Sequence, residues 1–108
     1  MNSYEHTFIA KSDLRENQSK QIIDKYTDII KKNSGKVLKT EEWGLRNLSH
    51  NIKNNRKGFY FHIKFEGIGE TIHELEKLGN IDQMLIRFLT VRVKKHYLET
   101  NYFSKKDL

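Results

Sequence analysis

The apolar and polar positions along the chain predict six secondary-structure elements. Between residues 11 and 35, apolar side chains recur at helical spacing and form one stripe, made of Ile22, Ile23, Tyr26, Ile29 and Ile30. Lys31 and Lys32 follow, and Gly35 is a natural end for this helix. A shorter helix is predicted over residues 67–80, with Ile72 and Leu75 facing inwards and Gly79 at its end.

Four further segments are rich in β-branched and aromatic residues and predict strands: 4–10, 36–48, 56–66 and 84–94. Gly44 is a candidate bulge in the second strand, and the polar residues 49–57 predict a loop before the third. The resulting order, βαββαβ, predicts an α+β ferredoxin-like fold: a four-stranded antiparallel sheet with two helices on one face. We expect a single domain over residues 1–95 and a polar tail over 96–108.

The third strand, with the sequence RKGFYFHIKF, decides which side of the sheet is the core. It begins like an RNA-recognition signature, in which alternate aromatic side chains would stack on bases. Side chains alternate across a strand, so its apolar residues share one side and Tyr60, His62 and Lys64 the other. Burying an unpaired lysine costs several kcal/mol, whereas each large apolar side chain gains roughly 1.5–3 kcal/mol. The aromatic residues therefore face the helices, and function is expected on the opposite, open face.

The last strand indicates that a partner covers the open face of the sheet. If Ile86 and Phe88 face the helices, Arg87 lies on the open face with Leu89 and Val91. An arginine among aliphatic residues favours a surface that a partner covers, and Leu89 and Val91 are candidate docking residues. The alternative is a charge that protects a sheet edge from aggregation.

The charge balance points to a polyanionic partner. The 108 residues include 20 Lys and Arg against 14 Asp and Glu, which gives a net charge of +6 and a pI near 9.5. Acids are absent from residues 43–65 and 83–98, so the basic surplus lies in the loop between strands two and three and in the last strand. As a set these residues predict a phosphate footprint, made of Arg46, Lys53, Arg56, Lys57, Arg87, Arg92 and Lys94.

Residues for catalysis, metal binding or membrane insertion are not arranged in known patterns. The five histidines lie in different elements without metal-ligand spacing, and His6 is expected to be a hydrogen-bonded structural residue. The loop after the first strand, KSDLREN, has no glycine to cradle a phosphate. We therefore predict no enzyme, no cofactor, no metal and no small-molecule substrate. The lack of cysteine and of a ~20-residue apolar run predicts a cytoplasmic protein without a membrane partner.

Several motifs together resemble the bacterial small-subunit ribosomal protein S6 family. They are Tyr4-Glu5 at the first strand, Gly35, the stretch WGLRNLSHNI leading to GFYF, and NIDQMLIRFLTVR at the last strand. The resemblance covers about residues 3–94. It implies a ferredoxin-like structural protein of the cytoplasmic ribosome, which assembles with ribosomal protein S18 on the central domain of small-subunit ribosomal RNA.

By this resemblance, Arg46 and Arg87 fall on basic motif positions and Lys53 in a basic loop. The tail would extend towards the partner protein, which makes Tyr97, Tyr102 and Phe103 docking candidates. His50 and Asn51 stand where the family usually has tyrosine and proline, so the resemblance does not imply the family's loop conformation there. The alternative hypothesis is a free-standing interaction or ligand-binding module that dimerises through its open sheet face.

Overall fold

The computed structural model describes residues 1–13, 16–52 and 55–94, with the backbone alone for 16–17 and 49–52. The elements are, in order, β1 (Asn2–Lys11), α1 (Glu16–Lys32), β2 (Lys36–Ile52), β3 (Asn55–Gly67), α2 (Gly69–Ile81) and β4 (Leu85–Val93). The strands form one antiparallel sheet in the order β2-β3-β1-β4. The predicted βαββαβ fold, with the first and third strands in the centre, is confirmed.

The core lies between the helices and one face of the sheet. Phe61, Ile63 and Phe65 of β3 are buried there, as alternation along the strand predicted. Phe61 stacks on Phe8 of β1 at 5.1 Å between ring centroids, and the Phe8 ring lies 4.8 Å from that of Tyr26 on α1. Aromatic contacts thus join both central strands to the long helix.

The hairpin of β2 and β3 is longer than predicted. Strand pairing continues from Asn47 opposite Lys57 to Ile52 opposite Asn55, so the predicted loop over 49–57 is wrong for most of its residues. Backbone hydrogen bonds can pair two strands whatever their side chains, so a polar stretch can also form a ribbon. Its polar sequence therefore resembled a loop. Arg56 and Lys57 consequently lie on a strand.

Two of the bulges in the sheet decide on which side predicted residues lie. The first falls between Glu42 and Gly44, and Gly44 has a φ of 84°, which confirms the predicted bulge and leaves Trp43 as the extra residue. The second falls in the pairing of Ile9 and Ala10 with β4. A Cβ added to Gly58 would point to the open face and would lie 3.5 Å from Ile86 Cδ1. The prediction that Ile86 faces the helices with Phe88 is therefore wrong.

Two glycines predicted to end helices instead allow neighbouring elements to pack closely against them. Ser34, not Gly35, takes the left-handed conformation after α1, with a φ of 65°. A Cβ on Gly35 would lie 2.5 Å from Ile30 Cγ2. Gly79 lies inside α2, where a Cβ would stand 2.8 Å from the ring of Phe88. Both glycines let a helix lie against its neighbour.

Asp82 connects the long helix to the turn between α2 and β4. Lys25 Nζ and Tyr26 Oη each donate to Asp82 Oδ2 at 2.9 Å, and the Met84 amide donates to Oδ1 at 3.0 Å. Burial alone would raise the pKa of Asp82, but the hydrogen bonds from Lys25, Met84 and Tyr26 hold it below its ordinary value. This carboxylate fixes the position of the turn that leads into β4.

His6 is fully buried in the core, and its Nδ1 is hydrogen-bonded to Thr90 Oγ1 at 2.7 Å. Its ring lies 5.5 Å from Phe8 and 5.8 Å from Phe88. Burial, assisted by the nearby His62, lowers the pKa of His6 to about 3. The predicted structural role of this histidine is confirmed.

The burial of neutral His6 predicts a pH-dependent stability. Below its unfolded pKa of about 6.5, the unfolded chain binds a proton that the folded chain excludes until about pH 3. Stability that is complete above pH 6.5 should therefore be lost as the pH falls towards 3, by about 1.4 kcal/mol per pH unit. In urea unfolding between pH 6 and 4, His6→Leu should reduce the pH slope of the free energy of unfolding by about this amount.

The exposed His73 supplies the control for this experiment. His73→Leu should keep the slope of the wild type, because this side chain lies at the surface of α2 and not in the core. Equal slopes for His6→Leu and the wild type would show that the core does not exclude the proton.

Candidate functional site

The centre of the open face is occupied by a buried polar cluster. His62 Nε2 lies 2.8 Å from Glu5 Oε1, and His62 Nδ1 lies 2.8 Å from Thr7 Oγ1. Antiparallel pairing of β1 with β3 sets Thr7 directly opposite His62. Burial lowers the pKa of His62 below its ordinary 6.5, although the Glu5 carboxylate opposes this. Neutral His62 can donate from Nε2 to Glu5 and accept at Nδ1 from Thr7.

Lys64 lies on the open face as predicted, but it is buried rather than solvated. Its exposed fraction is 1%, and its Nζ forms an ion pair with Glu41 Oε2 at 3.7 Å. The sequence argument held that an unpaired lysine is too costly to bury. The Glu41 carboxylate pairs with Lys64, so this lysine can be buried on the open face. We call Glu5, Glu41, His62 and Lys64 the open-face cluster.

Trp43 covers part of the open-face cluster. Its indole stacks on the His62 ring at 4.8 Å between centroids and 14° between planes. The bulge before Gly44 turns the extra residue Trp43 onto this face. A shallow groove remains beside it, walled by Trp43, Val91 and Val93 over a floor of Glu5, Thr7 and His62. The sequence prediction included Val91 but missed the other groove residues. The signals for Trp43 were its place at a candidate bulge and in the WGLRNLSHNI motif.

The predicted docking residues of β4 lie beside this groove. Leu89 pairs with Thr7 and Val91 with Glu5, so both side chains project from the open face. Their exposed fractions are 61% and 46%. Such exposed aliphatic side chains, next to a half-buried tryptophan, form a continuous apolar edge to the open face.

The predicted basic residues separate into two groups. Arg46 pairs with Gly58 and Arg87 with Ile9, which places both arginines on the open face at the end away from Glu5. Tyr60 lies between them, because it pairs with Ile9 and with Gly44. The exposed Arg56 and Lys57 follow at the same end of β3. We call this set the basic end.

The other predicted basic residues do not extend the basic end into one surface. Arg92 pairs with Tyr4, whose ring packs in the core, so it lies on the helix side, where its Nη2 donates to Asn2 Oδ1 at 2.9 Å. Arg92 and Arg87 are therefore on opposite faces, contrary to the predicted continuous footprint. Lys94 is exposed after the end of β4. Four candidates lie outside the described residues: Lys53, Tyr97, Tyr102 and Phe103.

Two other kinds of site are missing from the described residues. Within 1–13, 16–52 and 55–94, no three carboxylate or histidine side chains are grouped as metal ligands. Neither helix in this part of the chain has the length and apolar character to cross a membrane.

Comparisons with known proteins agree with the fold and cover nearly the whole chain. The family model described as ribosomal protein S6 matches residues 3–92. The small ribosomal subunit protein bS6 of Pelagibacter ubique is 52% identical over 107 residues, which cover 99% of this chain and 88% of the relative. Its counterpart in Zymomonas mobilis is 43% identical over 86% of this chain and 75% of the relative.

A solved structure gives the same result. The crystal structure of 30S ribosomal protein S6 from Thermotoga maritima superposes with a TM-score of 0.81 at 29% identity, covering 85% of this chain and 87% of that one. Members of the S6 family are structural and not enzymatic, and they are components of the bacterial ribosome in the cytoplasm. From the fold, the family match and these relatives, we conclude that the chain belongs to the ribosomal protein S6 family and is a protein of the small ribosomal subunit.

Proposed function

We propose that the chain binds the central domain of small-subunit ribosomal RNA together with ribosomal protein S18, and that the open face is the surface both partners share. The observation that carries this proposal is that Arg46 and Arg87 lie on the same face as the exposed Leu89 and Val91. One face thus offers positive charge at one end and apolar surface along one edge. An assembly of RNA with protein requires both.

The basic end suits the RNA backbone. Arg46 and Arg87 lie on either side of Tyr60, and the exposed Arg56 and Lys57 follow at the same end of β3. No acidic residue occurs between positions 43 and 65. Guanidinium groups bind phosphate oxygens through paired hydrogen bonds, and such contacts position a protein on RNA without reading its sequence. Lys53, Arg92 and Lys94 remain predicted contacts of the same kind.

The apolar edge suits the partner protein. Leu89 and Val91 expose about half or more of their side chains, and they continue into the groove beside Trp43. Covering this surface removes aliphatic and aromatic area from water, the main favourable term in protein association. The tail residues Tyr97, Tyr102 and Phe103 remain predicted to add to this interface.

Replacement of both open-face arginines tests the RNA contact. Arg46→Ala with Arg87→Ala should weaken binding of the S18-containing pair to central-domain RNA and lower the slope of log affinity against log salt by about 2. Filter binding at several salt concentrations measures both quantities.

The matched control removes two charges from the exposed end of α1. Lys31→Ala with Lys32→Ala changes the net charge equally but lies on the helix side. Its salt slope should remain that of the wild type. If both pairs of substitutions lowered affinity and slope equally, the effect would come from net charge and not from the basic end.

Polar replacement of the apolar edge tests the protein contact. Leu89→Asn with Val91→Thr keeps side-chain size and should weaken the affinity for S18 at least about ten-fold, because apolar burial is lost. Calorimetry of the two purified proteins gives this affinity. Ile68→Thr, at an exposed isoleucine before α2, is the control and should have no effect.

Sedimentation of the purified chain tests the alternative function, a free-standing module that dimerises through its open face. A stable homodimer that Leu89→Asn with Val91→Thr dissociates, and that does not bind S18, would favour dimerisation through the open face over the proposed assembly.

A further inference from the structure

A polar cleft opens at one end of the sheet, away from the open-face cluster. It lies where the end of β1, the start of β3, the last turn of α2 and the turn into β4 meet. Hydrogen-bonding side chains from all four line it, namely Lys11, Ser12, Asp13, Asn55, Asn80 and Gln83. Ile81 also lines the cleft, and 72% of it is exposed.

The polar side chains of the cleft differ in how they are engaged by the described residues. Asp82, which also lines it, is occupied by Lys25, Tyr26 and the Met84 amide. Within the described part of the chain, by contrast, no hydrogen bond or ion pair engages the side chains of Ser12, Asp13, Asn80 or Gln83. Because Asp82 fixes the turn that carries Gln83, this side chain is held at the cleft without being used by the fold.

The chemistry of the lining side chains indicates which ligand the cleft can bind. The carboxylate of Asp13 would repel a phosphate, so the phosphate backbone is not what enters. The amides of Asn80 and Gln83 each offer donors and an acceptor, which match the edge of a nucleobase. The exposed Ile81 offers an apolar surface for the face of a base. Lys11 and the nearby Arg56 can hold the flanking phosphates.

We infer that this cleft binds one unpaired nucleotide of the RNA and reads its base through Asp13, Asn80 and Gln83. Sequence-specific binding of RNA uses such unstacked bases, since their hydrogen-bonding edges are accessible. Guanine fits best, because its two neighbouring N–H groups can donate to the Asp13 carboxylate while its N7 and O6 accept from an amide. The inference rests on the proposed RNA-binding function and adds base recognition to a phosphate footprint.

Substitution of the cleft amides tests the inference. Asn80→Ala and Gln83→Ala, singly and together, should weaken binding of the S18-containing pair to central-domain RNA by about ten-fold to a hundred-fold. The salt slope should stay unchanged, because no phosphate contact is removed. Gln21→Ala, at an exposed glutamine on α1, is the matched control and should leave affinity unchanged. Both cleft side chains are exposed, so thermal unfolding should be the same for all variants.

A second experiment identifies the base. Unpaired guanines of the central-domain RNA are replaced one at a time by adenine, and binding is measured with the wild type and with Asn80→Ala/Gln83→Ala. One replacement should weaken binding of the wild type and have no further effect on the variant, since the same contact is already lost.

The outcomes separate this inference from the proposed function. If Arg46→Ala with Arg87→Ala weakens binding and changes the salt slope while the cleft variants bind like the wild type, the inference is wrong and the proposed function stands. If the cleft variants weaken binding but lower the salt slope, the amides act near phosphates and base recognition is wrong. A wild-type pair that fails to bind the RNA would overturn both.

Discussion

The structure depends on the pairing of β1 with β3 in the centre of the sheet. Each of these strands is flanked by a strand on both edges, so its side chains have cross-strand neighbours on both faces of the sheet. On one face, Phe8 and Phe61 pack beneath the helices. On the other, His62 and Lys64 lose most of their contact with water, and carboxylates from β1 and β2 compensate them. A buried charge whose partner is removed costs several kcal/mol, so this second face constrains the register as strongly as the first.

The same constraint divides the open face into parts with different chemistry. Its centre is occupied by the open-face cluster, which Trp43 covers in part. One margin is aliphatic, at Leu89 and Val91, and the end near Gly58 is basic. A polar centre with an apolar edge and a basic end suits a protein that must contact another protein and an RNA at the same time.

Alternation along β3 was sufficient to predict which side forms the core, because a period of two residues leaves no third choice. It failed for Ile86, because a bulge inserts one residue and reverses the side of those before it. It also failed to show that Lys64 is buried, since Glu41 lies on a different strand, distant in sequence. The ribbon at the end of β2 and β3 resembled a loop because its sequence is mostly polar. The polar cleft combines residues of four segments, and no local pattern indicates it.

Trp43 is the chain's single tryptophan, and it stands on the open face, so its accessibility reports directly on whether partners cover that face. The chain can be labelled with 5-fluorotryptophan and its ¹⁹F signal followed by broadening with a soluble paramagnetic probe, alone and after assembly with S18 and central-domain RNA. We expect measurable broadening of the half-buried indole in the free chain and protection in the assembled complex. A signal that broadens equally in the free chain and in a verified complex would show that the partners bind elsewhere.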